Sequence, residues 1–233
     1  MITYFITRFS ILDHKYKSFM MTRDMPISEY KRKLFDEKRM EYKFESFEKI
    51  TIPSIVNQTN KNYIWEIYSS NYLPSEYKKR LLQDTKKYKK IQLFFINSFE
   101  DFLQRMKELP YGKVDKYCTV RLDDDDGLSN NYIEKVNQYS EKTGSVVSFP
   151  NGQFITIENG LIKYGRRDSK LNNAQGLCAI GMNIFNLGKH KKIHEKKEVK
   201  EVIYNFTPDM YLVNCGIFCD TQRKFKEKRK NES

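Results

Sequence analysis

Cysteine, long apolar runs and a leader-like beginning are what this chain of 233 residues has least of. Its four Cys form no CxxC pair: Cys118 and Cys178 lie inside apolar runs, and Cys215 and Cys219 stand four apart without a second cluster. Neither a disulfide framework nor a zinc site is indicated, and buried free thiols are expected. No stretch approaches the roughly 20 apolar residues that span a bilayer. Residues 1–10 lack the basic, apolar and small-residue succession of a secretory leader. The expectation is a cytoplasmic chain. Internal repeats and low-complexity segments are also absent, apart from a basic tail at 223–233.

Aromatic residues are plentiful, with 16 Tyr and 16 Phe beside a single Trp, and they bring enough buried area that 31% charged residues do not imply disorder. One domain with a substantial core is expected. Lys and Arg outnumber Asp and Glu by 42 to 30, a formal net charge of +12. Such a surface attracts nucleic acid, an acidic membrane or a phosphorylated small molecule, and charge alone does not choose among them.

Strand-like and helix-like segments alternate. Residues 2–9 and 63–68 are β-branched and aromatic, and 91–96 is a short apolar run of buried-strand type. Met40, Phe44, Phe47 and Ile50 recur at helical spacing up to Pro53. Ser75 is placed to cap a helix carrying Tyr77, Leu81, Leu82 and Tyr88, and Ser98 with Asp101 makes a capping box before Phe99, Phe102 and Met106. A strand follows at 116–122. The alternation predicts an α/β fold with a mostly parallel sheet covered on both faces, whose ligands bind beyond the carboxyl ends of the strands. After residue 145 short strands are separated by Asn151-Gly152 and Asn159-Gly160, both read as hairpin turns.

The segment Arg121-Leu122-Asp123-Asp124-Asp125-Asp126-Gly127-Leu128 is the most informative. Four adjacent carboxylates repel one another unless a cation or hydrogen-bond donors compensate them. They fall where a buried strand ends and, past Gly127 and a capping Ser129, a helix with Tyr132, Ile133 and Val136 begins. Oxygen ligands suit Mg²⁺ or Mn²⁺, which are usually held by one or two carboxylates together with substrate phosphates. The competing interpretation is an exposed acidic turn that favours the helix dipole. Arg8, at the end of the first strand, could fork onto a phosphate or a base, or serve a structural ion pair.

Here the sequence resembles a family. The Asp123–Asp126 run is similar to the DxD motif of glycosyltransferases with the nucleotide-sugar-binding GT-A fold. Pro53 to Thr59, followed by the strand Ile64 to Ser70, resembles their "SI..QT" helix end and next strand. The rhamnosyltransferase group is closer still, at 7–10, 34–55, Leu73-Pro74 and 121–128. The resemblance covers residues 1–150 well and the remainder poorly. It implies a GT-A-like mixed sheet with a β-hairpin extension, divided into a nucleotide-sugar-binding half at 1–128, an acceptor half at 129–222 and the tail at 223–233. It places Asp123 near the nucleotide ribose, Asp125 on the metal, Asp126 beside it and Asp124 as a donor-side neighbour. Ser69 and Ser70 match positions that approach the base, where many relatives carry Asp. A C-terminal His of relatives points to His194 or His190 as a further metal ligand, although the lysines around them favour a solvated basic helix.

Arg166 and Arg167 are candidates for the diphosphate. An inverting transfer needs a carboxylate or His that accepts the proton of the attacking hydroxyl. Asp209, just before the apolar run 211–213, is the candidate base, with Asp168 and Asp220 as rivals. The expected partners are a UDP- or dTDP-sugar and a saccharide or lipid-linked glycan acceptor, with the basic tail touching an acidic membrane and no nucleic acid. A two-metal phosphoryl-transfer enzyme or nuclease and a basic nucleic-acid-binding module are the alternatives.

Overall fold

The computed structural model describes residues 1–13, 25–108, 115–158, 161–168, 175–188 and 190–215, with backbone alone at 156–158, 161–163, 167–168 and 190–191. The strands are β1 (Ile2–Phe9), β2 (Tyr63–Ser70), β3 (Ile91–Ile96), β4 (Tyr117–Asp123), β5 (Gly127–Leu128), β6 (Ser145–Ser148), β7 (Asn151–Glu158), β8 (Leu161–Asp168), β9 (Cys178–Ile180), β10 (Glu201–Tyr204) and β11 (Tyr211–Asn214). The α-helices are α1 (Ile27–Leu34), α2 (Glu37–Ser46), α3 (Ile52–Val56), α4 (Ser75–Thr85), α5 (Phe99–Glu108) and α6 (Tyr132–Asn137).

A seven-stranded sheet runs in the order β10-β6-β9-β4-β1-β2-β3. Strands β1 to β4 are mutually parallel, and β9 is antiparallel to both β4 and β6. The expected α/β architecture is found. The chain builds β1, β2 and β3 outward in one direction and then returns to lay β4 on the other side of β1. That reversal makes the gap between the ends of β1 and β4 the topological switch point, where open α/β sheets leave a crevice for ligands. A smaller four-stranded sheet, β5-β11-β7-β8, stands beside it.

Side chains of adjacent strand residues face opposite ways. On one face Phe5, Phe9, Trp65 and Ile67 pack with Phe44 and Phe47 of the helical segment, and on the other Ile6 and Tyr68 pack with Phe99 and Phe102 of α5. The Trp65 indole is fully buried and donates to Thr7 Oγ1 at 3.0 Å. The capping box of α5 forms as expected: Asp101 N–H donates to Ser98 Oγ at 3.1 Å and Ser98 N–H to Asp101 Oδ2 at 3.2 Å.

The helix leading to Pro53 is continuous but changes pitch. A π-turn occupies Phe47–Thr51, and the Ile52 N–H reaches back to the Phe47 carbonyl. Pro53 has no N–H to offer the Lys49 carbonyl and its ring would collide with that oxygen in a regular helix. The wider π-turn absorbs the conflict. It also seats Ile50 and Ser54 against Gly127: a Cβ there would lie 3.2 Å from Ile50 Cγ2 and 3.5 Å from Ser54 Cβ.

Several expectations are corrected. Asn151 and Gly152 are the first residues of β7, not a turn. A Cβ at Gly152 would lie 2.3 Å from the Tyr211 ring, so this glycine admits an aromatic side chain from β11. Glu158 and Leu161 are paired at the end of the β7–β8 ladder, whereas Asn159-Gly160 lies outside the described residues. The buried-strand reading of 91–96 fails because β3 is an edge strand and only Ile96 is buried. Ser75 begins α4 after Pro74 and makes no cap bond. Ser129 does not cap α6; its hydroxyl donates to Asn131 Oδ1 at 2.8 Å. His190 and His194 share no α-helical face, since residues 190–195 form 3₁₀ turns broken at Lys192, and 3₁₀ geometry brings residues three apart, not four apart, onto one side. Among the described residues no helix is long and apolar enough to cross a membrane.

Candidate functional site

The acidic run leaves the central sheet at the switch point. Arg8 of β1 and Asp123 of β4 are register partners across it. Asp123, the last residue of β4, faces α5, and Asp124, the first residue past the strand, pairs with Lys43 of α2, so neighbours in sequence meet different surroundings.

On the α5 side, Arg8 lies 3.8 Å from Asp123 Oδ1 and Arg121 donates to the same oxygen at 3.2 Å. Arg121 stands two residues before Asp123 on one face of the strand, as the spacing allows. The Arg8 guanidinium lies over the rings of Phe185 and Phe99, at 5.4 and 6.0 Å from their centroids. Burial, and then the like charge of Arg121, pull its pKa down to about 10. It remains a cation at neutral pH. Burial alone would raise the Asp123 carboxyl, but Arg121 and Arg8 together hold it below the ordinary range.

On the α2 side, Asp124 is 5% exposed and ion-paired with Lys43, whose ammonium also lies 5.7 Å from the Phe9 ring centroid. The second oxygen of Asp124 is buried without a hydrogen-bond partner. Asp126 is buried and accepts the Asn214 N–H at 3.1 Å. Burial, then the charges of Asp125 and Asp123, push its carboxyl well above the usual carboxylate range. The Asn214 N–H and the Gln175 side chain, which bond the charged form of Asp126, do not offset that push.

The chain just past the run is held by Gln58, which is fully buried. Its Nε2 donates to the Ser54 and Ser129 carbonyls at 2.8 and 2.6 Å, and its Oε1 accepts the Ile133 N–H at 3.2 Å. Thr59 N–H adds a bond to the Asn130 carbonyl at 2.8 Å. The "SI..QT" segment is thus a brace between α3 and the start of α6. Replacing Gln58 by Leu strands the Ile133 N–H and the Ser54 and Ser129 carbonyls, and is expected to cost about 2–3 kcal/mol of stability. Urea unfolding reads this directly, and a loss below about 0.5 kcal/mol would refute the brace.

The other expected residues are not all gathered here. Ser69 and Ser70 end β2 beside the tip of β1 and are buried; Ser70 Oγ accepts the Tyr72 N–H at 3.0 Å, and Ser69 Oγ has no hydrogen-bond partner. Arg166 is exposed on β8, the outer strand of the small sheet. It stands three strands from β5, roughly 14 Å at ordinary strand spacing. Asp209 is exposed in the turn before β11 with φ of 56°. Its neighbour Met210 accepts the Ser129 N–H at 3.0 Å, which ties that turn to the chain just past the acidic run. His194 is half exposed, 3.9 Å from Glu195. Among the described residues no group of three or more His, Cys, Asp or Glu side chains is assembled as a metal cage. Asp220, His14 and the tail lie outside the described residues. Lys43, Phe185 and Asn214 carry no sequence expectation, and Arg121 and Phe99 are marked there only as parts of the acidic segment and of the α5 stripe. Lys43 had one readable signal: it borders the buried stripe of Met40, Phe44 and Phe47.

A family model described as "Putative rhamnosyl transferase" matches residues 3–207. No curated protein matches the sequence. Among solved structures, S. aureus TarS 1-349 in complex with UDP-GlcNAc superposes with a TM-score of 0.51 at 8% identity, over 92% of this chain and 58% of that one. GalNAc-T7 with UDP, GalNAc and Mn²⁺ gives a TM-score of 0.50 at 12% identity, over 95% of this chain and 45% of that one. These likenesses show a shared GT-A fold, and the chain spans less than two thirds of either protein.

Proposed function

Because the chain belongs to the rhamnosyl transferase family, we propose that it transfers a sugar from a nucleotide-sugar donor to a saccharide acceptor with the help of Mn²⁺ or Mg²⁺. The observation that carries this reading is the pairing of Arg8 with Asp123 at the switch point, with the acidic run directly beyond it. TarS binds UDP-GlcNAc and GalNAc-T7 binds UDP, GalNAc and Mn²⁺ on the same fold. The family name suggests a rhamnosyl donor, of the UDP or dTDP type.

The residues present fit a divalent ion. The partnerless oxygen of Asp124 and the upward push on Asp126 both mark negative charge in want of a cation, although Lys43 and the two arginines already serve Asp124 and Asp123. Asp125 and Asp126 would hold the metal. When bound, it would neutralise charge on the departing diphosphate. Arg8 and Arg121 orient Asp123 toward the nucleotide ribose and add fixed positive charge on the α5 side, stabilisation that is preorganised and costs no rearrangement at the moment of transfer. Ser69 and Ser70 border the base. Asp209 is the proposed acceptor of the attacking hydroxyl's proton, its turn held close to the run through Met210. We assign residues 1–128 to the donor side and 129–222 to the acceptor side. The basic tail is proposed to meet an acidic membrane carrying a lipid-linked acceptor.

A panel of nucleotide sugars, screened by thermal stabilisation and by donor hydrolysis with Mn²⁺ and again with chelator, tests the reading. One donor class is expected to raise the melting midpoint by several degrees with Mn²⁺ and by none with chelator. No response to any nucleotide sugar, or an equal response in chelator, would overturn metal-dependent transfer. Tight, salt-sensitive binding to nucleic acid without donor binding would favour a nucleic-acid module instead.

A further inference from the structure

Helix α2 touches the acidic run twice. Lys43 pairs with Asp124, and one turn of the same helix reaches Asp126 indirectly through Asn214. The Asn214 backbone N–H donates to Asp126 Oδ1 at 3.1 Å. Its carboxamide is engaged at both ends: Oδ1 accepts from the Tyr42 hydroxyl at 2.8 Å, and Nδ2 donates to Ser46 Oγ at 2.8 Å. Tyr42 and Ser46 stand four residues apart and so present to the same side of the helix. The carboxamide cannot turn without giving up both bonds. Asn214 and Ser46 are 4% and 5% exposed, so water is poorly placed to replace what is lost.

We infer that Asn214, gripped by Tyr42 and Ser46, is a positioning residue that fixes the Asp126 carboxylate for the divalent ion, making α2 the support of the acidic run. The inference rests on the proposed reading of Asp125 and Asp126 as metal-holding residues. Its physical basis is the general behaviour of groups one step behind a metal ligand, which restrict the ligand's orientation and whose loss weakens metal binding about 10–100-fold. Nothing in the β-strand pattern of 211–214 marks Asn214 in the sequence. It is the end of β11, a short strand that pairs with β5 and β7, that delivers its N–H to the run.

The test is Mn²⁺ affinity of the full chain in the presence of UDP, followed by the paramagnetic signal of free Mn²⁺, with metal-free melting measured in parallel. Asn214→Ala is expected to weaken Mn²⁺ binding about tenfold. Tyr42→Phe, which keeps the Ser46 bond and the fold, is expected to weaken it about threefold with a nearly unchanged metal-free midpoint. Ser46→Ala should resemble Tyr42→Phe, and Ser46→Thr, which keeps the hydroxyl, should restore binding. If Asn214→Ala does not fold, Tyr42→Phe decides. Wild-type Mn²⁺ affinity in the folded variants would overturn the positioning role and leave the site reading intact. Failure of the wild-type protein itself to bind Mn²⁺ would overturn both.

Discussion

Asp125→Asn is expected to lower turnover by about 10²–10³-fold while leaving the metal-free protein at least as stable as wild type. The two halves of that expectation have separate causes. Removing a group that stabilises developing charge typically costs that much in rate, and a carboxamide is a poor ligand for Mg²⁺ or Mn²⁺ where a carboxylate is required. The stability half follows from the neighbours. Asp125 is a leading electrostatic cause, after burial, of the raised Asp126 carboxyl. Neutralising it relieves repulsion within the run. Turnover with the donor found in the panel, together with a metal-free thermal melt, checks both. Full activity in Asp125→Asn would remove Asp125 from the metal site, and a large fall in stability would show that its part is structural.

The other aspartates should behave differently because their surroundings differ: Asp123 is served by Arg8 and Arg121, Asp124 by Lys43, and Asp126 by the Asn214 N–H. Four chemically identical neighbours are thereby made unequal. The sequence shows four like charges at a strand end; the point at which the strand ends and the identity of the packed helices decide what each one does.

That division explains what was legible beforehand. Local patterns were readable where one element determined its own geometry: the stripe of α2 and the capping box of α5, and for β3 the strand itself though not its burial. The strand-helix alternation pointed to the carboxyl ends of the strands as the ligand side, but which gap is the switch point depends on the strand order, which the alternation does not give. Misreadings arose where a distant residue decided. Gly152 looks like a turn residue by local chemistry, yet it is required by the Tyr211 ring, which arrives from 59 positions later in the chain. The antiparallel insertion of β9 between β4 and β6 is a tertiary choice that its three residues do not encode by themselves. His190 and His194 have helical spacing, but their segment winds as 3₁₀ turns. Among site residues, the four Asp were conspicuous because their repulsion demands compensation. Their compensators were not, because a lysine beside an apolar stripe is ordinarily solvated.

Lys43→Met is expected to destabilise the protein by about 3–5 kcal/mol, a large effect for one surface-type residue. The side chains of Lys43 and Asp124 are 14% and 7% exposed, so neither recovers full hydration when the other is removed. Asp124 already has one oxygen without a hydrogen-bond partner. Without the ammonium it would be a buried carboxylate next to three others. Met keeps most of the lysine's apolar stem against Phe9, so the loss reports charge and not packing. The double variant Lys43→Met with Asp124→Asn removes both charges, and should recover most of the stability because a buried pair contributes far less than the cost of breaking it one-sidedly. Urea unfolding of the two single variants and the double gives the coupling directly. A loss below about 1 kcal/mol for Lys43→Met, in the range of a solvated ion pair, would mean that Asp124 is compensated by something other than α2. A full loss without recovery in the double variant would mean that Lys43 serves the acidic run as a whole, with its charge acting on Asp123, Asp125 and Asp126 and not on its hydrogen-bonded neighbour alone.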